Sequence, residues 1–226
     1  MIPNVKQVRE FFKGELKAQN FTTDKTGAKT IEWIGASFIA NEPAIFGEPN
    51  NEYIEKEIQW YESQSTNIND IYGEDRDAPA AWKYAADPHG NINSNYGKLI
   101  WSEQYHQQYL SALMELDANP DTRRATMVYN RPSIWTEYNQ NGKSDFICTN
   151  AVSYYIRNSK LHCTVQMRSN DVVFGYKNDY AWQKFVLDKM VKDYQELNVF
   201  EEIEAGQIYW QVQNLKVYER HFDLVK

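Results

Sequence analysis

An α+β fold built on one large sheet is the architecture this 226-residue sequence predicts, and three features predict it. Helical and strand-like periods alternate through the first half. The second half is mostly strand, interrupted by one long helical stretch. No internal repeat, Gly-rich phosphate loop or linker divides the chain, so residues 1–226 read as a single domain. With 7 Trp, 16 Tyr and 10 Phe, apolar mass suffices for a closed core.

The elements follow in order. Val5, Val8, Phe12 and Leu16 recur at helical spacing and predict an amphipathic N-terminal helix. Asp24-Lys25-Thr26-Gly27 reads as a turn, and residues 30–40, rich in β-branched and aromatic side chains, read as a strand. Residues 52–64 predict a helix with Ile54, Ile58 and Tyr61 on one face. Glu57 shares that face, where a carboxylate is costly to bury unless something pairs with it or uses it. The period is lost between Ser65 and Asn95; Trp82 and Tyr84 mark this segment as an ordered, functional loop. Helix resumes over 102–116 through Tyr105, Tyr109, Leu113 and Leu116, and Asn119-Pro120-Asp121 ends it. Residues 125–129, 151–157 and 161–167 read as strands. In the last of these Cys163 shares an apolar face with Leu161, Val165 and Met167, which makes it a packing residue. A long helix opens at Asn178-Asp179 with Phe185, Val186, Met190, Tyr194 and Leu197 as its stripe, and Asp179 by itself reads as a helix cap. Strands over 207–213 and 216–224 complete the series.

Charge and cysteine usage narrow the function. Twenty-four basic residues stand against thirty-one acidic ones, a net charge of -7, which disfavours a polymer nucleic-acid binder. A small anion needs only a few converging arginines. No apolar run reaches the length of about 18 residues that a membrane span requires, and the opening Met1 to Lys6 lacks the apolar stretch of a secretory signal. Cys148 and Cys163 are too few for a disulfide framework, so a reducing cytoplasm is expected. His89, His106, His162 and His221 show no metal-ligand spacing, so no metal is expected.

Cys148 stands where a polar loop enters a strand. A thiol acts as a nucleophile when a nearby cation favours its thiolate and substrate can reach it, and Arg168 on the polar face of a neighbouring strand is the candidate cation. Arg123-Arg124 and Arg168-Ser169 supply the donors that match a phosphate, although solvation is the simpler reading of paired arginines.

Four segments, Asp24-Lys25-Thr26-Gly27, Asn93-Ser94-Asn95-Tyr96-Gly97, Ser144 to Asn150 and Arg168 to Asp179, occur in the order seen in the thymidylate synthase superfamily. The chain resembles this superfamily from about Phe21 to Leu224, and most closely its bacteriophage branch that hydroxymethylates deoxycytidylate. The resemblance implies a homodimer whose large mixed sheets pack back to back, with dCMP as substrate and 5,10-methylenetetrahydrofolate as co-substrate. It also implies roles. Cys148 matches the nucleophile that adds to C6 of the pyrimidine. Lys25, Arg168 and Ser169 match groups holding the 5'-phosphate, and Arg123 and Arg124 match the pair that reaches it from the other subunit. Glu57 matches a carboxylate that orders water and relays protons, and Tyr96 a tyrosine involved in proton removal at C5. Trp82 and Asp171 match positions near the folate, and Tyr218 matches a partner of the ribose hydroxyl.

Three departures are informative. Asp179 stands where synthases acting on uracil carry Asn; a carboxyl group suits the N4 donor and N3 acceptor of cytosine, so dCMP is expected over dUMP. Thr149 follows the nucleophile where synthases have His. Lys216 replaces the His that usually precedes the ribose-binding tyrosine by two residues. A thymidylate synthase, a dUMP or CMP hydroxymethylase and a non-catalytic nucleic-acid-binding regulator are the alternative readings.

Overall fold

In the computed structural model, residues 2–23, 27–198 and 202–225 are described. Lys25, in the expected turn, lies outside the described residues. Helix α1 (Val5–Ala18) starts at Asn4, whose side chain accepts from the Gln7 amide at 3.2 Å while Gln7 accepts from the Asn4 amide at 2.9 Å. This reciprocal cap satisfies two backbone donors that the helix start would otherwise leave unpaired. Val5, Val8 and Phe12 form the buried stripe. Strands β1 (Thr22–Thr23) and β2 (Lys29–Ile39) follow, then α2 (Asn51–Ser63), a 3-10 turn over Ile68–Ile71, and α3 (Ala80–Ala85). Next come α4 (Tyr96–Trp101), α5 (Gln108–Ala118), β3 (Thr126–Val128) and α6 (Ile134–Glu137). The chain continues through β4 (Thr149–Arg157), β5 (Lys160–Met167), β6 (Asn170–Asp171), α7 (Gly175–Leu197) and β7 (Glu204–Tyr218).

The strands form one seven-stranded mixed sheet in the order β1-β2-β7-β5-β4-β3, with β6 also pairing to β7. β7 runs antiparallel to β2 and parallel to β5 and β6. Helices α1, α5 and α7 pack on the sheet. Alternation decides which residues face them: Leu161, Cys163, Val165 and Met167 of β5 are buried, whereas Gln166 between them is exposed. Ser37, Gln166 and Gln211 lie side by side on the opposite face, and Gln166 donates to Gln211 at 3.2 Å. The β4–β5 hairpin turns on Asn158 and Ser159, at φ 53° and 55°, the double left-handed geometry that fits the twist of paired strands.

Three expectations change. Residues 102–116 are not one helix: Glu103–Tyr105 is a 3-10 turn, and His106 and Gln107 take φ values of 65° and 47°, so the chain reverses before α5. The expected strand over 216–224 ends at Tyr218, because 207–213 and 216–218 belong to one 15-residue strand and a 3-10 turn follows. Asp179 is no helix cap. α7 begins four residues earlier at Gly175, and it is Asp171 whose Oδ1 accepts from the Val173, Phe174 and Gly175 amides at 3.0, 2.7 and 3.4 Å.

Candidate active site

A cavity of about 920 Å³ opens above the sheet and gathers Glu57, Trp82, Tyr96, Cys148, Arg168 and Asp179. Six residues expected to act together thus line one pocket, although they come from α2, α3, α4, the segment before β4, the segment after β5, and α7.

The backbone beside Cys148 holds Arg168 against the thiol. Arg168 Nε donates to the Ile147 carbonyl at 2.9 Å and Nη2 to the Phe146 carbonyl at 2.5 Å, which leaves Nη2 3.6 Å from Cys148 Sγ. The cation expected from the sequence is therefore in place. Burial nevertheless outweighs it and pushes the Cys148 thiol up to about 11, with Arg168 acting in the opposite direction. In this form the sulfur is a thiol, and it becomes a nucleophile only when its proton is taken.

Glu57 lies on α2, 5% exposed. Its neighbour one turn earlier, Tyr53, donates to Oε1, and Trp82 Nε1 donates to the same oxygen at 3.0 Å and to the Tyr53 hydroxyl at 2.9 Å. Two donors on Oε1 fix the carboxyl plane. Burial raises its pKa to about 7 against the pull of both hydrogen bonds, so Glu57 exchanges its proton near neutrality, as a relay requires. Tyr53 has no role in the motifs above. Its position four residues before a carboxylate on the same helix face is the signal that finds it.

Tyr96 opens α4 and is enclosed by the rings of Tyr61 and Tyr129, each 5.3 Å away. Burial, with Asp179 and Cys148 adding to it, holds its hydroxyl protonated well above the usual phenol range. The approach of α4 to α2 depends on Gly97, where a Cβ would stand 1.9 Å from the Tyr61 carbonyl oxygen. Asp145 ties this corner to the nucleophile. It accepts from the Asn93 and Ser94 amides at 2.5 and 2.9 Å and from the Ser94 hydroxyl at 2.6 Å, three residues before Cys148.

Asp179 Oδ2 accepts from Asn170 Nδ2 at 2.8 Å. Burial, and then the nearby Glu57 charge, raises the Asp179 pKa to about 8. A neutral carboxyl group, with one donor and one acceptor, therefore faces the pocket that holds Cys148.

Trp135 and Phe174 line the same cavity yet are 71% and 51% exposed, so they stand at its mouth. Asp171 lies behind Phe174 and keeps one buried carboxylate oxygen, Oδ2, without a hydrogen-bond partner, with His221 Nδ1 3.8 Å away. Aromatic walls and a volume near the top of the range of about 300–1,000 Å³ for small-molecule sites fit a planar heterocycle beside a first ligand. Among the described residues no three His, Cys, Asp or Glu side chains cluster as metal ligands would.

Asp171 and the remaining expected residues that are described lie outside this cavity's lining. Ser169 follows Arg168 and is half-buried, and Tyr218 ends β7, with Lys216 and Arg220 over its ring at 5.1 and 4.7 Å. Arg123 and Arg124 are exposed before β3, and Arg124 pairs with Glu115 at 2.9 Å.

A family model described as "Thymidylate synthase" matches residues 16–226. The chain is 52% identical, over 98% of its own length and 89% of theirs, to proteins of Enterobacteria phages T4, T2 and T6 named "Deoxycytidylate 5-hydroxymethyltransferase". A crystal structure of thymidylate synthase from T4 phage superposes with a TM-score of 0.75, at 19% identity, over 96% of this chain and 78% of that one.

Proposed function

The chain belongs to the thymidylate synthase family, and on that premise we propose that it is a deoxycytidylate 5-hydroxymethyltransferase, which converts dCMP to 5-hydroxymethyl-dCMP. It is a one-carbon transferase, and 5,10-methylenetetrahydrofolate is the co-substrate its family implies. The observation that carries the choice of nucleotide is Asp179, a carboxyl group that burial keeps protonated in the pocket of the reactive thiol.

In this reading Arg168, with Ser169 and Lys25, receives the 5'-phosphate, and Arg123 and Arg124 reach it from a second subunit. Asp179 accepts from the N4 amino group and donates to N3. Cys148 gives up its proton and Sγ bonds to C6, which places carbanion character on C5 while the Asp179 proton on N3 draws charge into the base. The co-substrate supplies a one-carbon unit at the oxidation level of formaldehyde. Trp82 and the Trp135 and Phe174 rings form the wall it would lie on, and Asp171, which accepts from the Phe174 amide, is the carboxylate that the family resemblance places near the folate. Tyr96 stays neutral, so it removes the C5 proton only by passing its own onward. Glu57, its plane fixed by Tyr53 and Trp82, holds the water whose oxygen becomes the new hydroxyl and takes that water's spare proton, while the Sγ–C6 bond breaks, restoring the C5–C6 double bond and the Cys148 thiolate. Tyr218 contacts the sugar. Atoms balance as dCMP, methylenetetrahydrofolate and water giving hydroxymethyl-dCMP and tetrahydrofolate. Both cysteines are free thiols, in keeping with a cytoplasmic setting.

Incubation with dCMP and methylenetetrahydrofolate, followed by mass analysis of the nucleotide, tests the reading. A gain of one CH2O unit is expected. A gain of CH2 would make the protein a methylating synthase, and an unchanged nucleotide would refute the assignment.

A further inference from the structure

Asn170 on β6 stands behind Asp179, and its amide is oriented by chemistry. The Trp210 indole Nε1 has a hydrogen to give and cannot accept, so the atom 3.2 Å from it is the Asn170 oxygen. The opposite end of the amide is then the NH2 group, which donates to Asp179 Oδ2 at 2.8 Å. Asn170 is 4% exposed and Trp210 fully buried, with Tyr176 edge-on to the indole at 5.3 Å. A flip of the amide would set two donors against each other at Trp210 and bury both unsatisfied.

A protonated carboxyl group is ambidextrous. With its proton on one oxygen it offers cytosine an acceptor for N4 and a donor for N3. With the proton on the other it offers uracil a donor for O4 and an acceptor for N3–H. Selectivity therefore requires something that denies the proton one of the two oxygens. An amide hydrogen donated to Oδ2 does so, because the carbonyl oxygen of a carboxyl group is a better acceptor than its hydroxyl oxygen, so the Asn170 bond favours the proton on Oδ1. We propose that Asn170, held in register by Trp210, is the positioning residue that confines the Asp179 proton to Oδ1 and so selects cytosine over uracil. This rests on the dCMP reading above, in which Oδ2 also accepts from N4.

Loss of the Asn170 donor frees the proton to occupy either oxygen, and it also removes an interaction that favours the carboxylate. The other groups that act on Asp179 or feel its charge are Glu57 and Tyr61 on α2, Tyr96 on α4 and Cys148 before β4. A substitution at Asn170 leaves all four in place, so a shifted pH profile reports on Asp179.

The test measures kcat/KM for dCMP and dUMP between about pH 6 and 9, with affinities by titration where turnover is slow, in the natural protein, Asn170→Ala and Trp210→Phe. In Asn170→Ala the preference for dCMP is expected to fall about tenfold, the worth of one misplaced buried hydrogen bond. The alkaline limb of the dCMP profile moves to higher pH. Trp210→Phe, which frees the amide to flip, shifts both readouts the same way by less. Preference and limb both unchanged in Asn170→Ala overturn the proposal; should that variant fail to fold, the same result in Trp210→Phe does so. A natural protein with no preference for dCMP overturns the substrate reading and this inference together. A selective natural protein with equally selective variants removes only the role of Asn170.

Discussion

Glu57 and Asp179 are two acids of the pocket whose charge burial resists, and both consequences can be measured. Their pKa values, about 7 and about 8, lie above the 4.5 and 3.8 of the free side chains. Between those limits the folded chain holds protons that the unfolded chain has released, so stability falls as pH rises from about 4 to about 8. Chemical denaturation at intervals across that range should show the decline, and Glu57→Gln with Asp179→Asn should flatten it. A decline of the same size in the double variant would locate it elsewhere. Asp179→Asn should also turn the base-reading edge around, because an amide donates to O4 and accepts from N3–H. We expect kcat/KM for dCMP to fall at least a hundredfold relative to dUMP, in line with sites that pair with a polar edge; equal ratios would count against base readout.

The contact between α2 and α4 sets where Tyr61 and Tyr96 stand. Gly97→Ala would press a methyl group on the Tyr61 carbonyl, a backbone atom with nowhere to go. We expect a loss of about 2–3 kcal/mol of stability from overpacking, and a fall in kcat larger than any change in nucleotide affinity. A variant with native kcat would show that the helix approach does not set the site. Elements of this kind divide by how local their causes are. The helices at 5–18 and 51–63 and the strands at 29–39 and 160–167 were legible because hydrophobic period and capping act within a few residues. The start of α7 was not, because Asp171, four residues upstream, caps it rather than Asp179 beside the apolar stripe. The break at His106 and Gln107 lies in backbone angles to which neither residue type points. The lining of the pocket was legible at the motif residues Cys148, Arg168 and Asp179. Tyr53, Asp145 and the Trp210–Asn170 pair act through contacts across the fold, of which composition and period hold no trace.

At the scale of the whole molecule, the exposed sheet face with Ser37, Gln166 and Gln211 is the surface on which the family resemblance places a second subunit. Complementation tests the exchange of arginines. A Cys148→Ser chain and an Arg123→Ala, Arg124→Ala chain should each be nearly inactive, while their reassembled mixture should recover about a quarter of native activity, because half of the dimers carry one intact site of two. A mixture no more active than its components would place those arginines away from the partner's site.

The order of strands in the sheet also bears on how the protein is made. A ribosome releases β2 and β5 before residues 204–218, yet β7 is the strand that joins them. Until it emerges, a nascent chain presents two bare strand edges, the situation that invites pairing with other chains. The indole that orients Asn170 travels on the same strand, so base selection is acquired only once β7 has joined the sheet.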